Sequence, residues 1–243
     1  MVNIREKYII PFLLSFLCPL MIAAQESADC WDEYAGMVGG RRAHYLILDK
    51  VSFSLPDGFW CDGFGWTGIS FLQSPEYNFS GEPIADCVSI LSDNKDFISF
   101  MTIHSPYLYF GGLTPEDLRR YGHGLVDKLH INTIAGCVHY NTGKPDTRNY
   151  PIYYHATEYA RRSFNADTVI TFPLKVWGKA YGRQYTYAQG MVIQKNGRGH
   201  ILLITLYNKE EELDSYLRSL EKMIWYRDPE DFLDFRYEEP DAI

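Results

Sequence analysis

The sequence lacks the short motifs that announce the common catalytic chemistries. It has no HExxH for zinc, no GxSxG for a serine nucleophile and no CxxC pair. Gly36-Met37-Val38-Gly39-Gly40 follows no strand-like run, which excludes a dinucleotide fingerprint there. Positive charge is also scarce. Lys and Arg number 23 against 31 Asp and Glu, a formal net charge of −8. Nucleic acids and anionic lipids reward clustered basic residues, so neither is expected as a partner. Beyond residue 24 there is no apolar run of the ~20 residues that a membrane-crossing helix needs, and no membrane span is expected in the body of the protein. Internal repeats and low-complexity segments are absent, and no motif implies a cofactor.

The first residues do carry a pattern. Arg5 and Lys7 precede an apolar run from Tyr8 to Ala24, interrupted by Pro11 and Pro19 and closed by Ala23-Ala24 before the polar Gln25-Glu26-Ser27. That order matches a cleavable secretory signal, which predicts a protein exported to the periplasm or the exterior. Cys18 follows Leu17 rather than a small residue, which argues against its lipidation. The expected organisation is a signal peptide over 1–24, an extension over 25–44, one domain over 45–227 and an acidic tail over 228–243. With Cys18 removed, Cys30, Cys61, Cys87 and Cys137 remain, an even number that favours disulfides in an oxidising compartment. Three connectivities are open. The shorter loops favour Cys30 with Cys61 and Cys87 with Cys137.

Hydropathy patterning predicts strands at 45–48, 51–55, 68–72 and 96–104, a helix from a Thr114-Pro115-Glu116-Asp117 start to about Leu129, and a shorter helix over 158–165. Residues 168–177, 184–195 and 200–207 read as strands, the last two joined by an Asn196-Gly197 hairpin turn. Asn208 reads as the cap of a helix running to about Tyr226, with Leu213, Tyr216, Leu217, Leu220, Met223 and Ile224 on one face. The fold class is therefore α+β: one antiparallel β-sheet covered by helices, an α/β/α sandwich in a single domain.

Several of these features together resemble the PsbP/DcrB-like family of small exported domains. They are the strand leading into Pro56-Asp57-Gly58-Phe59, the meander near Tyr185-Thr186-Tyr187, the Asn196-Gly197 hairpin into Ile201-Leu202-Leu203-Ile204, and the C-terminal amphipathic helix. The resemblance spans about Val51 to Tyr226. Residues 74–83 and the four cysteines depart from the pattern. The family serves mostly as accessory or assembly subunits, so the resemblance implies binding rather than chemistry.

Three constellations are candidate sites. His123, Asp127 and His130 stand at i, i+4 and i+7, where one helical face would offer two imidazoles and a carboxylate to a metal. A Cys/His nucleophile could pair Cys137 with His139, which would share a face of an extended segment, or Cys61 with a distant His, although a disulfide accounts better for Cys137. The aromatic loop 59–66 offers Trp60, Asp62, Phe64 and Trp66 as a platform for a sugar ring or a protein anchor. The leading expectation is an exported, non-enzymatic binding or accessory protein for a protein or small polar ligand, with 19 tyrosines suited to half-wet binding surfaces. The alternatives are a metal-dependent hydrolase built on the His123 face and an inhibitor or immunity-type protein acting through its acidic surface.

Overall fold

A computed structural model describes residues 45–62, 69–76, 87–105, 128–144, 148–221 and 223–228. The signal segment, the extension, most of the acidic tail and the helix expected from Thr114 lie outside them. Glycine at 197, with φ of 75°, turns the chain between two nine-residue strands, β9 (Tyr187–Lys195) and β10 (Gly199–Tyr207). This hairpin is the middle of a seven-stranded antiparallel sheet. On one side β10 pairs with β4 (Ile98–His104), then β3 (Val88–Ser92), then the edge strand β2 (Phe59–Asp62). On the other side β9 pairs with β6 (Thr168–Leu174), whose neighbour is the short edge strand β5 (Tyr153–Tyr154).

Every residue of β10 and β4 is buried. A strand covered on both faces needs apolar residues at odd and even positions alike, which explains the run Ile201-Leu202-Leu203-Ile204. Ile201 and Leu203 enter one core with helix α2 (Thr157–Phe164) and helix α3 (Leu213–Leu220). Leu202, Ile204 and Leu206 enter a second core under helix α1 (Leu129–Thr142). A β7 (Lys179–Ala180) and β8 (Arg183–Gln184) hairpin and a 3₁₀ turn at Ser70–Leu72 complete that second layer. The expected α+β class, one antiparallel sheet covered by helices, is the observed one.

Three expected elements differ. Residues 45–48 are helical rather than extended, and the Asp49 amide donates to the Tyr45 carbonyl at 3.0 Å. Adjacent Leu46 and Ile47 are both buried, which an extended chain, pointing them to opposite sides, would not favour. Residues 70–72 form the 3₁₀ turn for a similar reason, since Phe71 and Leu72 both enter the core. The C-terminal helix stops at Leu220. The chain then straightens into β11 (Ile224–Tyr226), which pairs with β1 (Val51–Phe53) as a separate two-stranded ribbon. Asn208 is not its cap: its side-chain oxygen accepts from the Thr186 amide at 2.9 Å.

One close approach fixes the centre of the sheet. Gly190 lies directly opposite Phe172, and a Cβ added at 190 would sit 2.3 Å from the phenyl ring. The ring covers the space a side chain would take, and its burial leaves it little room to move. Gly190→Ala should therefore destabilise the protein by about 2–3 kcal/mol, as overpacked cores do, read as a fall in denaturation midpoint. Adding Phe172→Leu should recover part of that loss.

Candidate functional site

Of the expected aromatic platform, the described residues include Trp60 and Asp62. Its first four residues are the edge strand β2, not a loop. Strand alternation sends Phe59 toward Tyr216, with ring centres 5.5 Å apart, and packs Cys61 against the same core. Trp60 and Asp62 point to the other face. Trp60 is 40% exposed with the Lys95 ammonium 5.9 Å from its ring centre. Asp62 accepts a hydrogen bond from the Tyr181 hydroxyl at 3.0 Å, so its carboxylate is already engaged. Phe64 and Trp66 lie outside the described residues.

Of the expected metal face, His123 and Asp127 also lie outside the described residues. His130 is on α1, buried, with its ring edge-on to His200 at 6.4 Å. His200 stacks on His104, its cross-strand partner, with ring centres 4.5 Å apart and planes 5° from parallel. The Thr133 hydroxyl meets His200 Nε2 at 2.8 Å and ties α1 to the sheet. Burial lowers the His104 pKa to about 4, and lowers that of His200 well below the usual value, with the neighbouring imidazoles adding to the effect. Among the described residues, no three His, Cys, Asp or Glu side chains are grouped to hold a metal. Sequence reasoning did not find His104 and His200, because long-range strand pairing alone makes them neighbours.

The cysteines need correction. Cys61, Cys87 and Cys137 carry thiols, and no disulfide joins any two of them; Cys30 is outside the described residues. Cys87 and Cys137 fill the second core as small apolar groups instead of the expected pair. Burial pushes the Cys61 and Cys137 thiols up to about 12, far from the thiolate a nucleophile requires. Cys137 and His139 sit on a helix, where an i, i+2 pair does not share a face.

A cleft of about 630 Å³ opens beside the C-terminus of α1, lined by Ser74, Glu76, Thr142, Lys144, Asn149, Tyr150, Lys175 and Trp177. It is assembled around one fully buried side chain, Asn141. The Asn141 amide donates to the carbonyls of Leu72, at 2.8 Å, and Lys175, at 2.7 Å, while its oxygen accepts from the Lys175 amide at 2.8 Å. Its backbone carbonyl accepts from Trp177 Nε1 at 3.0 Å. The Trp177 and Gly178 amides both donate to Phe71 O. Gly143, with φ of 71°, ends the helix at the cleft. The Tyr150 hydroxyl donates to the Pro173 carbonyl, closing the floor. Trp177 remains 44% exposed, with Lys175 Nζ 5.5 Å from its ring centre. The result is a fixed indole with two lysines, one carboxylate and one carboxamide around it.

No known protein family matches the sequence, and no curated protein does. Among solved structures the chain is similar to the solution structure of cyanobacterial PsbP from Synechocystis. The two share 12% identity over 71% of this chain and 84% of that one, at a TM-score of 0.29. The expected PsbP/DcrB-like resemblance is met only to that loose extent, and nothing about function is drawn from it.

Two outcomes follow from this geometry. Replacing Asn141 with Asp removes the amide donor and faces a carboxyl toward two carbonyls, so Asn141→Asp should destabilise by about 3 kcal/mol in chemical denaturation and shift the Trp177 emission. The buried imidazoles set an acid limit. Unfolded histidines take up protons near 6.5, whereas folded His104 resists until about 4. Between those values the unfolded chain binds more protons, so stability falls as pH drops through that window. Asp49, whose buried carboxyl is raised well above its usual value, acts in the opposite direction. His104→Gln should therefore flatten the fall in stability between pH 6.5 and 4, whereas parallel curves would assign the acid limit to other groups.

Proposed function

We propose that the protein is an exported, non-enzymatic binding or accessory module, and that it holds a small polar ligand in the cleft beside Trp177. The observation that carries this reading is an indole half exposed in a cleft of about 630 Å³ yet anchored through its Nε1 to Asn141. Clefts of roughly 300–1,000 Å³ suit small ligands. An aromatic ring ordered in advance presents a stacking surface without the usual cost of immobilising it. Export rests on the residues preceding Gln25.

The distribution of perturbed groups favours binding over catalysis. Asp49, His104, Cys137 and His200 are all shut inside the two cores. A reacting group must be within reach of its substrate, and these are not. Among the described residues, no helix is long and apolar enough to cross a membrane.

Thermal-shift screening of the purified protein against small saccharides, amino acids, dipeptides and nucleosides tests the reading. At least one class should raise the midpoint of the native protein and leave Trp177→Ala unmoved. The variant's own midpoint should fall by the worth of the lost indole bond to Asn141, about 1 kcal/mol, so the comparison is of the shift each ligand causes. If no class shifts the native protein, if hits stabilise the variant equally, or if a hit is chemically consumed, the reading is wrong.

A further inference from the structure

The chemistry of the cleft rim narrows the ligand class. Lys144 and Lys175 are both exposed at the cleft, and among the described residues neither has a carboxylate partner; the ion pairs found there join Arg183 to Asp96 and Lys209 to Glu212. In a chain of net charge −8, a lining with two lysines against the carboxylate of Glu76, counted among the described residues, is a local positive spot. Such a spot draws anions that the rest of the surface repels.

The shape requirement comes from Trp177. Its only polar edge is taken by Asn141, so what it offers a ligand is apolar ring surface. Lys175 Nζ lies over the ring at 5.5 Å from its centre, so it covers part of one indole face, and an anionic substituent on a ligand stacked on the uncovered ring surface would lie beside the ammonium. The remaining rim and floor are polar. Glu76 can accept from hydroxyls, Asn149 can both donate and accept, and Ser74 and Thr142 complete the polar lining. Ser74 already accepts from the Glu76 amide, and Thr142 donates to Val138 O and accepts from the Lys144 amide, so Glu76 and Asn149 are the groups a purely aromatic ligand would leave unused. A simple anion would leave the indole face unused.

We propose that this cleft binds an acidic saccharide: the flat face of a sugar ring against Trp177, its carboxylate between Lys144 and Lys175, and its hydroxyls toward Glu76 and Asn149. The proposal rests on the binding reading above and gives it a ligand class. The charge contacts are exposed, so affinity falls with added salt. The stacking contact is less sensitive to salt.

Isothermal titration with three acidic probes, tri-galacturonic acid, a glucuronate-containing disaccharide and N-acetylneuraminic acid, tests it. At least one should bind. Its methyl ester, which keeps the ring and removes the charge, should bind about tenfold more weakly, the worth of one charge-assisted hydrogen bond. Acetate, which keeps the charge and removes the ring, should neither bind nor compete. Lys144→Ala and Lys175→Ala should each weaken binding by a similar factor with unchanged thermal midpoints, and Trp177→Ala should abolish it. An ester that binds as well as its acid, competition by acetate, unaffected lysine variants, or no binding by any of the three acids would each overturn the proposal. In the last case a hit from another class in the thermal-shift screen would leave the binding reading intact, whereas no hit at all would remove both.

Discussion

The buried side chain of Asn141 is the constraint on which the candidate site depends. Its three side-chain hydrogen bonds and the indole bond to its carbonyl join the 3₁₀ turn, the end of α1 and the segment after β6. Those segments have no secondary-structure ladder in common. Without the amide, their backbone groups would be buried and unsatisfied, at a cost of about 1–3 kcal/mol each. A buried polar group that satisfies several others also specifies one arrangement among many apolar packings of similar energy. Here that arrangement sets where Trp177 stands, and so what the cleft can hold.

The sheet that carries this wall is closed on both faces, and that closure shapes the rest of the chemistry. Burial disfavours the charged forms of the histidines, the thiols and a carboxyl, raising the thiol and carboxyl pKa and lowering those of the imidazoles. The same closure makes the imidazole stack an acid liability. The thiols carry a second consequence. With Cys87 and Cys137 packed as apolar groups, cysteine usage gives no independent support for an oxidising compartment, and the proposal of export rests on residues 1–24 alone.

How much of this was legible in the sequence differs from element to element. The β9–β10 hairpin could be read because Asn196-Gly197 and two strong apolar runs are local signals. β4 and β6 could be read from β-branched and aromatic runs. Helix α1 could not, since its buried stripe is Ile134, Cys137, Val138 and Asn141, and a cysteine and an asparagine hide the period from a hydropathy count. The end of α3 was misread for a physical reason: Met223 and Ile224 fall at helical spacing, but pairing with β1 outweighs local propensity. The cleft is hidden from a local reading for the same reason. Trp60 and Trp66 stand close in sequence, whereas the residues lining the cleft come from four separate stretches of chain that Asn141, the Phe71 carbonyl and the Tyr150 hydroxyl bring together. A short-range signal did exist at Lys175 and Trp177, exposed at i and i+2, but nothing in the sequence marked Asn141 as their support.

The central claim is that Trp177 is held in place before any ligand arrives. The most direct measurement is the backbone-like order parameter of the Trp177 indole N–H in the ligand-free protein, from ¹⁵N relaxation. The account predicts a value near the ~0.85 of rigid backbone, with slow exchange of that indole proton. A value below about 0.6, in the range of flexible groups, would contradict it.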